Sequence, residues 1–377
     1  MWQAEIRVDL SAIAGNVARL RAGTAAEVMA VVKANAYGHG MVDSARAALA
    51  GGATWLGVCT VDEALGLRGA GINAPILSWL WAPGAALASA IAADVDLSVA
   101  SLDQLDEVIE AVAAAGRPAR VHLKIDTGLN RSGAAPADWP ALVEAAAKAQ
   151  AEGDIDAVGV WSHFACADDP GNDSIDRQLA NFRTALDEAA RSGIQPRYRH
   201  MANSAATLTR PDAHFDLVRP GIAIYGLSPI SGETFGLRPA MTVRARAILT
   251  KRVPAGEGVS YGHTYTTPRA SNLALIPMGY GDGIPRHASN TAPVLLGGRV
   301  RTIAGRVCMD QIVLDCGDDD IRAGDIAVLF GPGTNGEPTA DDWAAACGTI
   351  NYEIVTRIGG SRVLRTFDDL PGVQEMS

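Results

Sequence analysis

The stretch EVMAVVKANAYGHG, residues 27–40, runs from an apolar β-strand into a polar, glycine-rich loop, with Lys33 where the strand ends. A continuous apolar run of this length, followed by glycine, is typical of a strand buried on both faces of a parallel sheet. In a barrel of parallel strands, the carboxyl ends of the strands open onto the active face. If the fold is such a barrel, the stretch places Lys33 at its active face.

Seven similar apolar runs follow before residue 230, and Ala-rich segments with helical spacing, such as residues 102–115, separate them. The predicted strands are Glu27–Val32, Thr54–Cys59, Pro75–Trp79, Val95–Val99, Arg120–Asp126, Asp156–Trp161, Arg197–Ala202 and Phe215–Arg219. Eight consecutive strand–helix units predict an α/β fold with an N-terminal TIM-like (β/α)8 barrel. An open, doubly wound sheet is the structural alternative, but no G-x-G-x-x-G turn follows the first strand.

The character of the sequence changes after about residue 230, where a polar, turn-rich junction, SPISGETFG, occupies residues 228–236. Glycine- and proline-containing turns then separate a second set of predicted strands. These are Met241–Val253, Leu273–Met278, Pro293–Gly305, Gln311–Asp315 and Asp325–Phe330. We expect two domains, a barrel at residues 1–230 and a mainly β C-terminal domain at residues 231–377.

The overall charge limits the possible partners. The 377 residues carry a net charge of −10 and are 48% hydrophobic and 20% charged, as in an ordered globular protein. An excess of acidic residues disfavours binding to nucleic acid or to anionic lipid. The N-terminus does not resemble a signal peptide, and no apolar stretch reaches the length of a membrane span. We expect a cytoplasmic protein that binds neither nucleic acid nor a membrane.

Cysteine and histidine usage disfavours disulfides and metals. The cysteines are Cys59, Cys166, Cys308, Cys316 and Cys347, without a C-x-x-C pair. This pattern fits neither a disulfide framework nor a zinc ribbon. The seven histidines are scattered without an H-E-x-x-H motif. We expect reduced cysteines and no metal site.

Lys33 is the first candidate for chemistry. A lysine among apolar walls has its ammonium pKa lowered by desolvation, which lets the neutral amine condense with an aldehyde. The alternative is a strand-end lysine whose charged head reaches solvent, and this is the commoner fate of a lysine considered alone.

Two later loops resemble phosphate sites, because barrels commonly bind phosphate in the loops after the seventh and eighth strands. After the seventh comes HMANSAA, residues 200–206, where Asn203 or Ser204 can cap a helix and offer donors to an anion. After the eighth comes VRPGI, residues 218–222, where Gly221 permits close backbone approach. Plain helix capping and a bare turn are the alternatives. An ordinary turn does not explain why a strand-end lysine coincides with two phosphate-type loops at the places that the fold predicts.

With these motifs, the sequence resembles the alanine racemase family over nearly its whole length. The resemblance implies pyridoxal 5′-phosphate attached to Lys33, with Arg219 facing the pyridine nitrogen and His163, in WSHFA, against the ring. Because arginine is protonated up to a pKa of about 12 or above, Arg219 should not give the ring a full proton. The cofactor-binding residues that it implies are Lys33, Tyr37, Arg131, His163, Asn203, Ser204, Arg219, Gly221, Ile222 and Tyr352.

A second base is required on the other face of the substrate, because racemisation exchanges protons on both faces of a planar carbanion. The segment GVSYGHTY, residues 258–265, resembles the segment of the family that carries this base, which is Tyr261 here. By resemblance, Lys33 takes the proton from the D-isomer and Tyr261 takes it from the L-isomer. A phenol titrates near 10, so it needs a cationic neighbour or a fixed hydrogen bond. A strand tyrosine packed in a sheet is the alternative.

Three further roles follow from the resemblance alone. In VHLKIDTGLNR, residues 121–131, Arg131 would reach the cofactor oxygen and the substrate carboxylate, and Lys124 is a possible carbamylated lysine that holds it. In RVCMD, residues 306–310, the Met309 backbone would meet the substrate carboxylate. In the family, the positions of Tyr261 and Met309 come from a partner subunit. We therefore expect a homodimer. The resemblance also implies that the enzyme makes D-alanine for peptidoglycan.

Other functions compete with this interpretation. A cofactor-dependent decarboxylase on the same plan is disfavoured by Ser260-Tyr261-Gly262, and an exported broad-specificity racemase by the unpaired cysteines and the lack of a signal peptide. A non-catalytic carrier of the cofactor would need neither a second base nor a β domain. The choice of alanine over serine rests on resemblance alone.

Overall fold

The computed structural model describes residues 2–368 of the 377-residue chain. This part divides into two compact units. The barrel unit comprises residues 13–36 and 41–237, and the β unit comprises residues 2–12, 37–40 and 238–368. Within the described range, no helix is both long enough and apolar enough to cross a lipid bilayer.

The barrel unit contains eight parallel strands, ordered in the sheet as in the chain from the first to the seventh, with the eighth beside the first. They are Glu27–Val31, Trp55–Val58, Ile76–Ser78, Val95–Val99, Ala119–Lys124, Ile155–Trp161, Tyr198–His200 and Leu217–Val218. Hydrogen bonds from Asp216 N to Arg199 O (3.1 Å) and from Arg219 N to Ala202 O (2.9 Å) close the cylinder. The predicted barrel is confirmed, and the open doubly wound sheet is wrong.

Helices alternate with these strands. They are Leu10–Ala22, Met41–Ala50, Val61–Gly69, Leu87–Ala92, Leu102–Ala115, Trp139–Glu152, Ser174–Arg191 and Ser204–Thr209, with short 3-10 turns at Pro211–Ala213 and Ile222–Tyr225. Local sequence fixes several ends: Thr60 and Ser101 accept hydrogen bonds from the first turns of their helices, and Gly116 ends one helix at φ 70°. The apolar faces between these ends pack on the barrel.

The interior of the barrel differs from the usual layers of branched aliphatic side chains. Asp96, His122 and His200 point into it and are at most 1% exposed. Aromatic rings pack around them: Trp161 stacks on His200 with 5.5 Å between ring centroids, and Trp55 meets His122 edge-on at 5.6 Å. Polar groups buried this deeply must find hydrogen-bond partners inside the protein.

The β unit is built on three antiparallel or mixed sheets. The six-stranded sheet has the order Arg299–Thr302, Pro293–Leu296, Ile326–Phe330, Met241–Arg246, Ala4–Asp9 and Leu364–Asp368. Leu249–Val253, Ser271–Ile276 and Ile312–Asp315 form a three-stranded sheet, and Gly258–Val259 pairs with Tyr265–Thr266. The helices are Ala340–Cys347 and Asn351–Arg357, and 3-10 turns lie at Tyr261–His263, Tyr280–Asp282 and Arg286–Ala288. The predicted mainly β character is confirmed.

Several strands of the β unit differ from the prediction. The predicted strand Met241–Val253 is two strands in different sheets, and Pro293–Gly305 contains a hairpin whose turn uses Gly297 and Gly298 at φ 60° and 73°. Ala4–Asp9, which was not predicted as a strand, pairs antiparallel with Met241–Arg246. Its partners lie far away in the sequence, so local periodicity carries no signal for this pairing.

Candidate active site

Lys33 lies just past the end of the first barrel strand, at the mouth formed by the carboxyl ends of the strands. Its Nζ is 5.6 Å from the centroid of the Trp79 ring. Burial lowers the pKa of Lys33, the nearby Cys59 thiol and Glu63 oppose this, and the positive charge of Arg131 lowers it further. The amine is therefore more often neutral than an exposed lysine, and a neutral amine is what a reaction with an aldehyde requires.

Lys124 ends the fifth barrel strand and faces the same mouth. Its Nζ donates to Ser132 Oγ at 3.1 Å and lies 4.3 Å from the centroid of Trp161. Burial, followed by the charges of Arg219 and Arg131, lowers the pKa of Lys124 to about 7. The amine is therefore uncharged at neutral pH far more often than that of an exposed lysine, and the uncharged form is the one that can react with carbon dioxide.

Arg131 lies on the loop after the fifth strand, and a residue near the start of the loop, Asp126, holds it in shape. The Asp126 carboxylate accepts from the backbone N–H groups of Gly128, Leu129 and Asn130 at 2.8, 3.0 and 3.1 Å. Side-chain-to-backbone bonds of this kind fix a tight loop without a helix or strand. Arg131 is solvent-exposed as a residue, yet its charge acts on Lys33, Lys124 and His163.

Arg219 is buried at the end of the eighth strand. Its Nη2 donates to the Ser162 carbonyl at 2.7 Å and to the Met201 carbonyl at 3.3 Å, and its Nη1 donates to His200 Nδ1 at 2.9 Å. Burial lowers the pKa of Arg219 to about 9. The guanidinium stays charged at neutral pH, and these hydrogen bonds hold it in one orientation.

A chain of hydrogen bonds leads from Arg219 across the barrel interior. His200 Nε2 lies 2.8 Å from His122 Nδ1, and His122 Nε2 lies 3.0 Å from Asp96 Oδ2. Because a guanidinium only donates, His200 must accept at Nδ1 and donate at Nε2, and His122 must do the same. Both imidazoles therefore carry hydrogen on Nε2. The chain ends at Asp96, which Arg120 binds at 2.9 and 3.1 Å.

His163 follows the sixth strand, with its Nδ1 3.3 Å from Arg219 Nη2. Burial, and then the charges of Arg219 and Arg131, lower the pKa of His163 well below its usual range. The same causes, with His122 in place of Arg131, lower the pKa of His200. Both imidazoles are neutral at pH 7, since a second positive charge beside a buried guanidinium is unfavourable.

The loops after the seventh and eighth strands meet at Ser204. Its buried Oγ accepts from the backbone N–H of Gly221 at 2.8 Å and from that of Ala223 at 3.3 Å. Ile222 between them is fully buried. Asn203 uses its side chain to cap the helix Ser204–Thr209, accepting from Ala206 N at 3.0 Å, as the capping alternative describes. A hydroxyl and two backbone N–H groups thus converge at one point.

The remaining candidates lie in the β unit. The rings of Tyr37 and Tyr352 are neighbours, with 6.2 Å between centroids. Tyr261 is 70% exposed and Met309 is 55% exposed. Their loops are joined, because Ser260 Oγ donates to the Arg306 carbonyl at 2.6 Å. The structure therefore groups Tyr261 with Met309 and, separately, Tyr37 with Tyr352.

The loop that carries Met309 is also held by a close backbone contact. Tyr280 N donates to the Cys308 carbonyl at 3.0 Å, and Gly281 N donates to the Met309 carbonyl at 2.8 Å. A Cβ on Gly279 would lie 2.3 Å from the Cys308 oxygen and 2.4 Å from the Met309 oxygen. Only glycine permits this approach.

Comparison with known proteins assigns this arrangement to a family. Residues 8–229 match the model for the alanine racemase N-terminal domain, and residues 240–367 match that for the C-terminal domain. The chain belongs to the alanine racemase family. It is 69% identical to the alanine racemase of Salinispora arenicola over 98% of this chain and 99% of that one. It is 60% identical to that of Thermobifida fusca over 97% and 98% of the two chains.

Solved structures agree with this assignment. The crystal structure of alanine racemase from Streptomyces lavendulae is 55% identical, with a TM-score of 0.96 and 98% of each chain covered. That of alanine racemase from Corynebacterium glutamicum is 39% identical, with a TM-score of 0.87 over 98% of this chain and 100% of that one. The family predicted from the motifs, the predicted fold and the predicted activity of an alanine racemase are confirmed.

The sequence analysis missed the polar residues behind the candidate site. Asp96, His122, His200 and Glu63 were not singled out, although the first three form the hydrogen-bonded chain that ends at Arg219 and Glu63 binds the backbone just after Lys33. A signal was present for two of them, because Asp96 in VDLSV and His122 in RVHLK interrupt apolar strands. A polar residue inside a strand that is buried on both faces requires a partner within the barrel.

Proposed function

We propose that the chain interconverts L-alanine and D-alanine, using pyridoxal 5′-phosphate carried on Lys33, with Tyr261 as the second base. The observation that carries the proposal is the amine at the barrel mouth, whose pKa is lowered by burial and by the positive charges of Arg131 and Arg219. When bound, the cofactor supplies an electron sink that makes the α-hydrogen of an amino acid acidic.

The donor groups of the barrel unit suit this cofactor. Its phosphate would take the place where Ser204 Oγ, Gly221 N and Ala223 N converge, next to a 3-10 turn. Its aldehyde requires the neutral amine of Lys33, and its pyridine nitrogen requires a donor such as Arg219. Since the pKa of Arg219 is about 9, this residue gives the nitrogen a hydrogen bond and keeps its own proton at neutral pH.

The substrate would be held by its carboxylate. Arg131 offers a planar guanidinium, which binds carboxylates through two parallel hydrogen bonds, and the Met309 backbone N–H would add a third. We propose that Lys124 is carbamylated, which places an anion near Arg131. The pKa of Lys124, about 7, supports this assignment because only the neutral amine forms a carbamate.

Two groups would then move the proton. We propose that Lys33 Nζ takes it from the D-isomer and that the Tyr261 phenol takes it from the L-isomer, each returning a proton on its own face. The orientation of Arg219 is set by its hydrogen bonds to His200 and the Ser162 carbonyl, so the charge beside the ring stays fixed during the exchange.

We propose that two copies of the chain form a homodimer that shares its active sites. Tyr261 and Met309 are 70% and 55% exposed in the single chain, and Tyr280 nearby is 43% exposed. A base that works on a carbon acid must be shielded from water, so this face requires a cover. We also infer that the enzyme acts in the cytoplasm and supplies D-alanine for peptidoglycan, which its five free cysteines suit.

The test of the activity follows chirality and exchange together. Purified protein is incubated in deuterated water with L-alanine, D-alanine or either serine enantiomer, and enantiomeric excess, α-deuterium and carbon dioxide are measured. We expect both alanine isomers to racemise with deuterium uptake. Release of carbon dioxide would instead indicate a decarboxylase, and equal turnover of serine would indicate a broad-specificity racemase.

The test of the residues uses reduction and substitution. Borohydride treatment of the loaded enzyme should leave the adduct on the Lys33 peptide, and Lys33→Ala or Tyr261→Phe should lower kcat by about 10²-fold to 10⁴-fold. Lys148→Ala is the matched control, because this lysine is 77% exposed on a helix. An adduct on Lys124, Lys148 or Lys251 would overturn the assignment of Lys33.

A further inference from the structure

The backbone immediately after Lys33 adopts an unusual conformation. Ala34, Asn35 and Ala36 have φ of 52°, 53° and 56° and ψ of 51°, 44° and 50°, and Tyr37 follows at φ 52°, so four consecutive residues have a positive φ. None of them is glycine, and residues with a Cβ disfavour this region. A turn of this kind persists only where its surroundings hold it in place.

Glu63 contacts this turn from the neighbouring strand–helix unit. Its Oε1 accepts from the backbone N–H of Ala34 at 2.6 Å. Its Oε2 accepts from the backbone N–H groups of Cys59 and Thr60 at 2.8 and 3.2 Å. One carboxylate therefore joins the loop after the first strand to the loop after the second.

The bonds that Glu63 Oε2 accepts from Cys59 and Thr60 have an ordinary explanation, whereas the bond that Oε1 accepts from Ala34 does not. Glu63 is the third residue of the helix Val61–Gly69, where it forms a capping box with Thr60. A capping box needs only the bond back to the cap residue. The bond to Ala34 is 29 residues away in sequence and adds nothing to the helix.

The two-sided contact also explains why the residue is a glutamate. Both carboxylate oxygens face N–H donors, and a glutamine would turn an NH2 group toward one of them. Gln104 shows the contrast two strands further along. It occupies the same position in the helix Leu102–Ala115, but its Oε1 accepts only from Ala100 N, at 2.8 Å, in its own loop. One acceptor is enough there, and an amide supplies it.

We propose that Glu63 is a positioning residue for Lys33, holding the left-handed turn so that the amine is presented from one place at the barrel mouth. The inference rests on the proposed role of Lys33. Glu63 touches neither substrate nor cofactor in this scheme and acts only through the backbone of Ala34. Its negative charge also partly offsets the positive charges of Arg131 and Arg219 around the amine.

The experiment compares Glu63→Ala and Glu63→Gln with two controls in the full chain. Thr60→Ala weakens the same helix cap but leaves the backbone bonds of Glu63, and Gln104→Ala removes the equivalent acceptor from another loop. Amide hydrogen exchange is measured on the full chain without cofactor, and it is followed in the proteolytic peptide that contains residues 33–36. The rate at which added pyridoxal 5′-phosphate becomes fixed to Lys33 by borohydride is read by mass spectrometry.

Loss of a charge-assisted hydrogen bond changes an equilibrium by about tenfold or more. Both Glu63 variants should therefore exchange the amides of residues 33–36 about tenfold faster and load Lys33 about tenfold more slowly, with kcat falling more than KM rises. Thr60→Ala and Gln104→Ala should stay within about twofold of the wild type at these amides.

The opposite result is equally clear. If Glu63→Ala and Thr60→Ala give the same exchange and loading rates, Glu63 is only a helix cap and the proposal is overturned. The wild-type protein would then still load at Lys33, so the proposed function would stand. If the wild type loads at another lysine, the proposed site fails instead.

Discussion

Replacing Asp96 by asparagine tests whether the buried imidazole chain depends on a carboxylate at its end. The carboxylate accepts two hydrogen bonds from Arg120, at 2.9 and 3.1 Å, and lies 3.0 Å from His122 Nε2. An amide has one acceptor oxygen. If the oxygen faces His122, its NH2 opposes the guanidinium; if it faces Arg120, the NH2 donates to His122 and reverses both imidazoles. His200 would then present a donor to Arg219, which also donates.

The magnitude follows from the exposure of the partners. A hydrogen bond to a charged group contributes about 1.5–3 kcal/mol. Asp96 is 1% exposed, but the side chain of Arg120 is 28% exposed, so water can solvate the guanidinium after the change. We expect the free energy of unfolding to fall by about 2 kcal/mol, within that range. For a domain of this size, the apparent melting temperature should fall by about 4–8 °C.

Two measurements check this prediction. Calorimetry reads the melting temperature, and nitrogen NMR of histidine-labelled protein reads which ring nitrogen of His122 and His200 carries hydrogen. Asp94→Asn is the matched control, because Asp94 pairs with Arg117 while both side chains are about half exposed; it should cost less than about 1 kcal/mol. Equal melting temperatures for the two variants, with unchanged tautomers, would refute the reasoning.

Three further outcomes are expected. His163 and His200 stay neutral in the folded protein, so below about pH 6.5 the unfolded chain binds more protons and the protein loses stability as the pH falls. The melting temperature should therefore be lower at pH 5.5 than at pH 7.5, and equal melting temperatures would contradict this. Carbon-13 bicarbonate should give a carbamate NMR signal that disappears in Lys124→Gln, whereas a signal that persists would exclude this lysine. Gly279→Ala should lower stability by about 2 kcal/mol or more, because its Cβ would lie 2.3 Å from a carbonyl oxygen. Gly15→Ala, a helix position with open space, should not destabilise, and a loss there as large would remove the steric explanation.

The sequence predicts much of this molecule because its signals are local. The apolar run before Lys33, the repeated strand–helix spacing and the two loops around Ser204 and Gly221 can be read from neighbouring residues. The residues behind the site cannot be predicted in this way, because their partners are distant in the sequence. Glu63 is hydrogen-bonded to Ala34, and His122 is hydrogen-bonded to His200, which is 78 positions away. The roles given to Tyr261 and Met309 stay predictions from resemblance.

The strand Ala4–Asp9 is a second feature that depends on residues far away in the sequence. It begins the chain, yet it pairs with Met241–Arg246 in the β unit, and Leu364–Asp368 pairs with its other edge. The pattern of its own residues does not predict which strands it pairs with. For this strand, neither the secondary structure nor the pairing was predicted from the sequence, because its partners lie far along the chain.

The last barrel strand, Leu217–Val218, is only two residues long, so few ladder bonds complete the cylinder between the seventh and first strands. Loop contacts supply the remainder: Ser204 Oγ binds Gly221 N, and the Tyr225 hydroxyl donates to the Val31 carbonyl at 2.9 Å. An anion bound by these same loops would add contacts at a place where the hydrogen-bond ladder of the barrel is short. Binding of the anion would then stabilise the barrel, and the melting temperature of the protein would increase with ligand concentration.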